Sequence, residues 1–354
     1  MTIYDIAKQA GVSASTVSRV INNKPGINAQ TRKRVQKLLN ENHYTPNEAA
    51  RGLVMQSSKI IGILIEDLRI EHHTESAYVI EQEMTALGYT CITLSTGRRD
   101  EKKADYIRIL EQRRVDGAIL MGSMFETEAV KKSIKEHLPD VPVAIVNGYL
   151  DLPNVYGILI DEERGVKDCA ELMFKKGKKH LVMAVDSDTP SNRNKQKGYL
   201  RAMLEQGIAK EDIPFYTAVN KEFTNPRDVR AAGAKLTEQI LTANPDVQMI
   251  WCWNQVSLLG CAAGLENAQR SDIVLMGTDM SVELAKDMLG DSITLQAITT
   301  QMPYEMGYTA VENAVKAVKG TDVEKEIMIP TYTYTKENLD EIQTYIDEHQ
   351  DLVD

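Results

Sequence analysis

A chain of 354 residues is too long for one ordinary core and suits two or three. No apolar run approaches bilayer-spanning length and the start carries no secretory leader pattern, which excludes a membrane partner and points to the cytoplasm. The net charge of −10 is unevenly placed: residues 1–57 hold eight Lys and Arg against three Asp and Glu, whereas the remainder carries 33 basic and 48 acidic residues. A basic head on an acidic body suits phosphate binding at one end only. The cysteines, Cys91, Cys169, Cys252 and Cys261, lack metal or redox spacing and read as reduced and mostly buried.

The first segment predicts three short helices. Thr2 caps the first, with Asp5 three residues on to complete a capping box, and Ile3, Ile6, Ala7 and Ala10 share one face. Gly11 ends it where a positive φ is wanted. Ser13 caps a second helix running to about Asn22, with Val17, Val20 and Ile21 turned inward. The Gly-Val-Ser turn between them suits a tight crossing, so the pair reads as a helix-turn-helix. Ala14, Ser15, Ser18, Arg19 and Asn22 face outward, short near the helix start so that the backbone can approach base edges, and Arg19 can reach a guanine with its fork of donors. Asn28 caps a third helix sealed by Val35, Leu38 and Leu39. A three-helix interaction domain with a solvated basic face is the alternative. Beyond Pro46, Ala49 and Ala50 allow close approach and Leu53 is the one large apolar tip. Gly52 costs about 1 kcal/mol against Ala in a helix, which predicts a segment ordered only on DNA.

From Ser58 short apolar runs alternate with amphipathic stretches. The runs are Ile60–Ile65, Cys91–Leu94, Ala118–Met121, Val143–Val146, Leu181–Val185, Met249–Trp253, Ile273–Met276 and Leu295–Ile298. Between them lie helices such as Ser76–Leu87, with Ile80, Met84 and Leu87 on one face. Such alternation predicts parallel sheets with helices on both faces, enough for two α/β lobes that close on a small molecule. Ligands in open α/β sheets sit at the carboxyl ends of strands. Candidates there are Asp67, Arg69, Asn147 and Asn254, with Arg193 and Lys195 in the helix opening at Ser191. Amides and carboxylates suit polyol hydroxyls. Phe223, Trp251 and Trp253 are candidates for stacking on a sugar ring; the two tryptophans share a strand face, so at least one belongs to the core. His72, His73 and Glu75 fit a polar loop better than a metal site. The acidic tail after Tyr334 reads as a helix, with Leu339, Ile342, Ile346, His349 and Val353 at alternating spacings of three and four, docked on its own lobe or a dimer mate.

The strings TIYDIAKQAGVS, STVSRVIN, TRKRV and YTPNEAARGL resemble the headpiece of the lactose-repressor (LacI/GalR) family of bacterial regulators, and the likeness runs from residue 2 to about 335. The resemblance implies base contacts from Ala14, Ser15 and Arg19, and phosphate contacts from Thr2, Tyr4, Ser13, Thr16, Asn22 and Thr31. It further implies that Asn47 to Leu53, Ala50 included, folds into a hinge helix on DNA, with Leu53 wedged between base pairs. For the body it implies a periplasmic-binding-protein-like core with three crossovers. The expected divisions are a headpiece over 1–46, a hinge over 47–57, a first lobe over 58–158 and 296–323, a second over 159–295 and 324–335, and a tail over 336–354. Asp279 matches the family's cleft Asp. Three departures matter: Lys195 stands where an Arg is usual, Gln255 where Asp is frequent, and Asn147 where Asp is common. A lysine is a point charge and does not replace a planar fork, so the family's effectors cannot be carried over.

The expected function is a ligand-controlled transcription regulator, a repressor. It would bind near-palindromic double-stranded operator DNA as a homodimer, with further pairing of dimers left open, and a sugar or sugar phosphate between the lobes would release it. A purine-type corepressor on the same scaffold and a solute receptor remain as alternatives. An enzyme is disfavoured, and with it any cofactor: no GxGxxG follows the first strand, and no P-loop, HExxH or nucleophile elbow occurs.

Overall fold

The computed structural model describes residues 1–44, 57–69, 71–185, 188–217, 226–290 and 294–350. Asn47, Ala50, Leu53, Phe223 and Val353 lie outside the described residues. The chain divides into two compact units, Met1–Ser58 and Lys59–Asp354.

In the first unit local chemistry dictates each helix. α1 (Ile3–Ala10) begins with the capping box, in which Thr2 Oγ1 accepts from the Asp5 N–H and Asp5 Oδ2 accepts from the Thr2 N–H at 2.8 Å. It ends at Gly11, whose φ of +63° is open to glycine at no steric cost. Ser13 caps α2 (Ala14–Ile21) and Asn28 caps α3 (Ala29–Glu41), each accepting a backbone N–H three residues on. Ile6, Ala7, Ala10, Val17, Val20, Val35 and Leu39 form the buried core; Ile3, Ile21 and Leu38 pack at its edge.

The second unit carries, in chain order, β1 (Ile60–Ile65), α4 (Glu71–Ala86), β2 (Thr90–Ser95), α5 (Asp100–Gln112), β3 (Gly117–Met121), α6 (Glu128–His137), β4 (Val143–Val146) and β5 (Val155–Ile160). It continues with α7 (Glu162–Lys175), β6 (Leu181–Val185), α8 (Pro190–Glu205), β7 (Phe215–Thr217), α9 (Pro226–Ala243), β8 (Met249–Cys252), α10 (Gln255–Asn267), β9 (Val274–Thr278) and α11 (Val282–Leu289). It closes with β10 (Leu295–Thr300), α12 (Pro303–Val318), β11 (Glu326–Ile329), β12 (Tyr332–Thr335) and α13 (Leu339–His349).

Among the described residues these strands make two six-stranded sheets, ordered β11-β5-β4-β3-β1-β2 and β12-β10-β9-β8-β6-β7. All neighbours pair parallel except β12, which runs antiparallel to β10. Parallel strands covered on both faces read as unbroken apolar runs, as β1 does from Ile61 to Ile65. In the first lobe, Ile80 and Met84 of α4 join Met306 and Ala310 of α12 on one face of the sheet, while Ile107 and Leu110 of α5 join Val130 and Ile134 of α6 on the other. One continuous core fills the second lobe.

Strand pairing moves the expected lobe boundaries. β5 runs through Ile160 in the first sheet, β10 pairs with β9 and β12 in the second, and β11 pairs with β5 in the first. The chain therefore crosses near residues 161, 301 and 330, not at 159, 296 and 324. An apolar run predicts a strand but not its partner, and β5, β7, β11 and β12 left no run that was read as a strand.

Two smaller expectations change, and a third is decided between its alternatives. α4 begins at Glu71, so His72 and His73 stand on a helix and not in a polar loop. Leu87 lies beyond that helix and is 51% exposed. The tail helix α13 docks on its own lobe through Ile342, Tyr345 and Ile346, while Leu339 is exposed.

Candidate functional sites

On the first unit, the sequence of α2 sets an exposed, chemically mixed surface. Ser15 and Arg19 are exposed, and Ala14, Thr16, Ser18 and Asn22 are half-buried. Among the described residues the Arg19 guanidinium has no hydrogen-bond or ionic partner. Ser13 Oγ gathers Ser15 Oγ at 2.7 Å and Thr16 Oγ1 at 2.9 Å, so three hydroxyls crowd the start of the helix. A helix N-terminus with hydroxyl donors is a ready seat for a phosphate. Thr2 and Tyr4 are exposed at the start of α1 and Thr31 is half-buried in the first turn of α3. Asn22 folds back, its Nδ2 donating to the Ser18 carbonyl at 2.8 Å. Arg32 ties the loop down by donating to Asn23 Oδ1 and the Lys24 carbonyl.

In the second unit the two sheets bring their strand ends together. Asn147 follows β4 with φ +54°, and Asp279 follows β9 with φ +71°. Both hold a left-handed backbone that non-glycine residues adopt at a cost, a strain that clusters at ligand sites. The lobes touch where the Ser191 N–H donates to Ser123 Oγ at 3.3 Å.

At the centre stands Glu162, fully buried at the start of α7. Its Oε1 accepts from Ser191 Oγ at 2.5 Å, Gln301 Nε2 at 3.2 Å and Asn147 Nδ2 at 3.4 Å, and the Lys195 ammonium lies 3.7 Å away. Asn147 belongs to the first lobe, Ser191 and Lys195 to the second, and Gln301 to a crossing between them. Lys195 also donates to the Trp253 carbonyl at 3.1 Å. Burial pushes the Glu162 carboxyl up from its ordinary range; the Lys195 charge pulls it back, and the Asp279 charge adds to the rise. Burial likewise raises Asp279, opposed by Lys195 and His73. His73 Nε2 lies against Gly122, 3.6 Å from where a Cβ would stand.

The same region leaves polar atoms unsatisfied. Glu162 Oε2, Asp279 Oδ1, Thr278 Oγ1 and Trp253 Nε1 are buried with no hydrogen-bond partner among the described residues. Buried polar atoms are nearly always paired, so such a group marks a place where a polar molecule belongs.

The remaining expected residues are placed differently. Asn254 uses its Oδ1 to cap α10, accepting from the Ser257 N–H at 2.8 Å, which ties its side chain to the helix start. Arg193 points to solvent and pairs with Asp188 at 2.8 Å. Asp67 and Arg69 pair with each other, the guanidinium holding the carboxyl of Asp67 below its usual range. Trp251 and Trp253 are both buried and both belong to the core of the second lobe. Glu162, Gln301 and Ser123 were missed, Ser191 was named only as a helix start, and His73 only as part of a polar loop. After Asp161, Glu162 stands two residues beyond the strand Val155–Ile160, the one signal that would have singled it out.

Residues 2–47 match the model of bacterial regulatory proteins of the lacI family, and residues 61–322 match the periplasmic binding protein domain. An HTH-type transcriptional regulator of Lachnoclostridium phytofermentans is 36% identical over 57% of this chain, a match spanning 62% of that protein and so less than two thirds of its length. The transcriptional regulator DegA of Bacillus subtilis is 31% identical over 74% of this chain and 75% of its own. The regulator RegA of Clostridium saccharobutylicum is 29% identical over 97% of this chain and 99% of its own. Among solved structures, the lac repressor dimer bound to operator and the anti-inducer ONPF shares the fold, with a TM-score of 0.80 at 21% identity over 96% of this chain and 99% of that one.

A helix-turn-helix unit joined in sequence to a two-lobed cleft with unsatisfied buried acceptors defines a ligand-responsive, DNA-binding transcription regulator. The chain belongs to the LacI family of bacterial regulatory proteins. Among the described residues no helix is long and apolar enough to cross a membrane.

Proposed function

We propose that the chain acts in the cytoplasm as a homodimeric repressor of near-palindromic operator DNA, released when a sugar-class metabolite binds between the lobes. Ser13, Ser15, Thr16 and Arg19 meet the DNA in this reading, with Ser15 and Arg19 on base edges and the hydroxyls of Ser13 and Thr16 on phosphate. The single observation that carries the effector half is the set of unpartnered atoms at Glu162, Asp279, Thr278 and Trp253. These offer acceptors and an indole donor, which hydroxyl groups can satisfy in both directions. The cleft binds and does no chemistry. Because Glu162 joins Asn147, Gln301 and Ser191, a ligand that recruits its free oxygen acts on a point shared by both lobes and a crossing. Differential affinity for two lobe arrangements is what lets a ligand shift operator affinity.

The test is a gel-shift titration on DNA upstream of the chain's own reading frame, with and without a panel of hexoses and pentoses. Retardation at low salt that one sugar reverses is the expected result. No retardation at any salt would remove the regulator from consideration, and a sugar that tightens binding would replace release by corepression.

A further inference from the structure

The charge of the cleft narrows the chemistry of its ligand. Two carboxylates, Glu162 and Asp279, are buried there, each with one oxygen lacking a hydrogen-bond partner among the described residues. The cations nearby are engaged: Lys195 with the Trp253 carbonyl and Glu162, Arg193 with Asp188, and Arg69 with Asp67, while His73, whose charge also acts on Asp279, is not free either. A phosphate ester entering the site would meet buried negative charge and no uncommitted cation among the described residues. A neutral sugar would supply hydrogen bonds to the free oxygens but no opposite charge to either carboxyl. Removing an uncompensated charge from water is costly, whereas a charge-assisted hydrogen bond to a carboxylate is about twice as strong as a neutral one.

We propose that the effector is an aminated sugar, its protonated amine seated against the free oxygens of Asp279 and Glu162 and its hydroxyls against Thr278 and the Trp253 indole N–H. This rests on the reading of the cleft as the effector site. It also gives the Oε1 side of Glu162 a role. Ser191, Gln301, Asn147 and Lys195 hold that oxygen and aim the other at the ligand. The carboxylate absent at position 147 is thus supplied from 162, on the opposite lobe.

Isothermal titration of the full chain with glucosamine and galactosamine, beside glucose, galactose and glucose 6-phosphate, tests the proposal. At least one aminated probe should bind about tenfold or more tightly than its parent hexose, the gain of one charge-assisted bond. The ester should bind more weakly than glucose. Asp279→Asn and Glu162→Gln, which keep the shape and remove the charge, should each erase most of the preference for the amine over the parent hexose. Equal or tighter binding of a parent hexose, tighter binding of the ester, or no binding of either aminated probe overturns it. Melting curves of both variants show whether a lost preference reflects a lost fold; if Asp279→Asn unfolds, the probe series on the unaltered chain still decides. Operator release by a neutral sugar would sink this proposal while leaving the regulator intact, whereas a chain that never retards operator DNA would sink the regulator itself.

Discussion

Arg19 stands exposed on α2 with its guanidinium uncommitted among the described residues, the state that a base-reading side chain needs before it meets DNA. Arg19→Ala is expected to cost about 1–3 kcal/mol on the best operator and to relax base preference at one position in each half-site. Competition binding across single-base operator variants checks this; an unchanged ranking would place the base contact elsewhere. Glu126 illustrates a different kind of residue. Burial drives its carboxyl up to about 7, against the backbone N–H of Tyr149 and the charge of Arg193, which pull it down. Its folded form therefore holds a proton that the unfolded chain releases near the ordinary value. The stability this brings is full below about pH 4.5 and fades as pH rises through about 7. Glu126→Gln keeps an acceptor for Tyr149 and cannot ionise. It should melt higher than the parent chain at about pH 8, with the gap closing towards about pH 4.5, as denaturant melts across that range would show.

Helix pairs in the second lobe depend on residues without side chains. A Cβ on Gly198 of α8 would lie 2.1 Å from the carbonyl oxygen of Glu163 on α7, and one on Gly260 of α10 would lie 2.2 Å from that of Arg230 on α9. These backbones approach too closely for alanine. Because α7 carries Glu162 and α8 carries Ser191 and Lys195, the first contact also sets the geometry around the Glu162 oxygens. Gly198→Ala is expected to destabilise by about 1–3 kcal/mol, the usual cost of overpacking, and to weaken metabolite binding beyond what the lower melting temperature explains. Calorimetry and ligand titration on one preparation separate the two effects. In the headpiece Thr2→Ala breaks the capping box and should cost about 1 kcal/mol, read as headpiece melting in circular dichroism. The tail helix α13 reaches the same neighbourhood as the cleft, since the Tyr345 hydroxyl donates to the Met280 carbonyl at 3.2 Å, one residue from Asp279.

For the molecule as a whole, the two functions share one chain and so share free energy. If the effector lowers operator affinity by some factor, saturating operator must lower effector affinity by the same factor. Titrating the effector with and without operator duplex measures both sides, and unequal factors would mean that the two sites are linked through a change in assembly state. The charge division also sets a salt signature. A basic stretch of eight Lys and Arg bound to phosphates releases counterions, so operator affinity should fall steeply with salt, while an acidic remainder of 48 Asp and Glu should keep effector binding free of any comparable loss.

What the amino-acid order decided alone is mostly local. The caps at Thr2, Ser13 and Asn28, the positive φ of Gly11 and the inward faces of α1 to α3 each depend on residues within four positions of one another, so they were legible in full. The apolar runs likewise declared strands and an α/β core. Only the tertiary structure decided which sheet takes β10 and β11, that Asn254 is spent on a cap and Arg193 on solvent, and that Glu162 lies at the meeting point of Asn147, Ser191, Lys195 and Gln301. Those partners stand up to 139 residues from Glu162 along the chain, and a parallel strand carries no local mark of its neighbour. Burial and pairing are properties of the folded contacts, and a carboxylate such as Glu162 reads as an ordinary surface acid until those contacts exist.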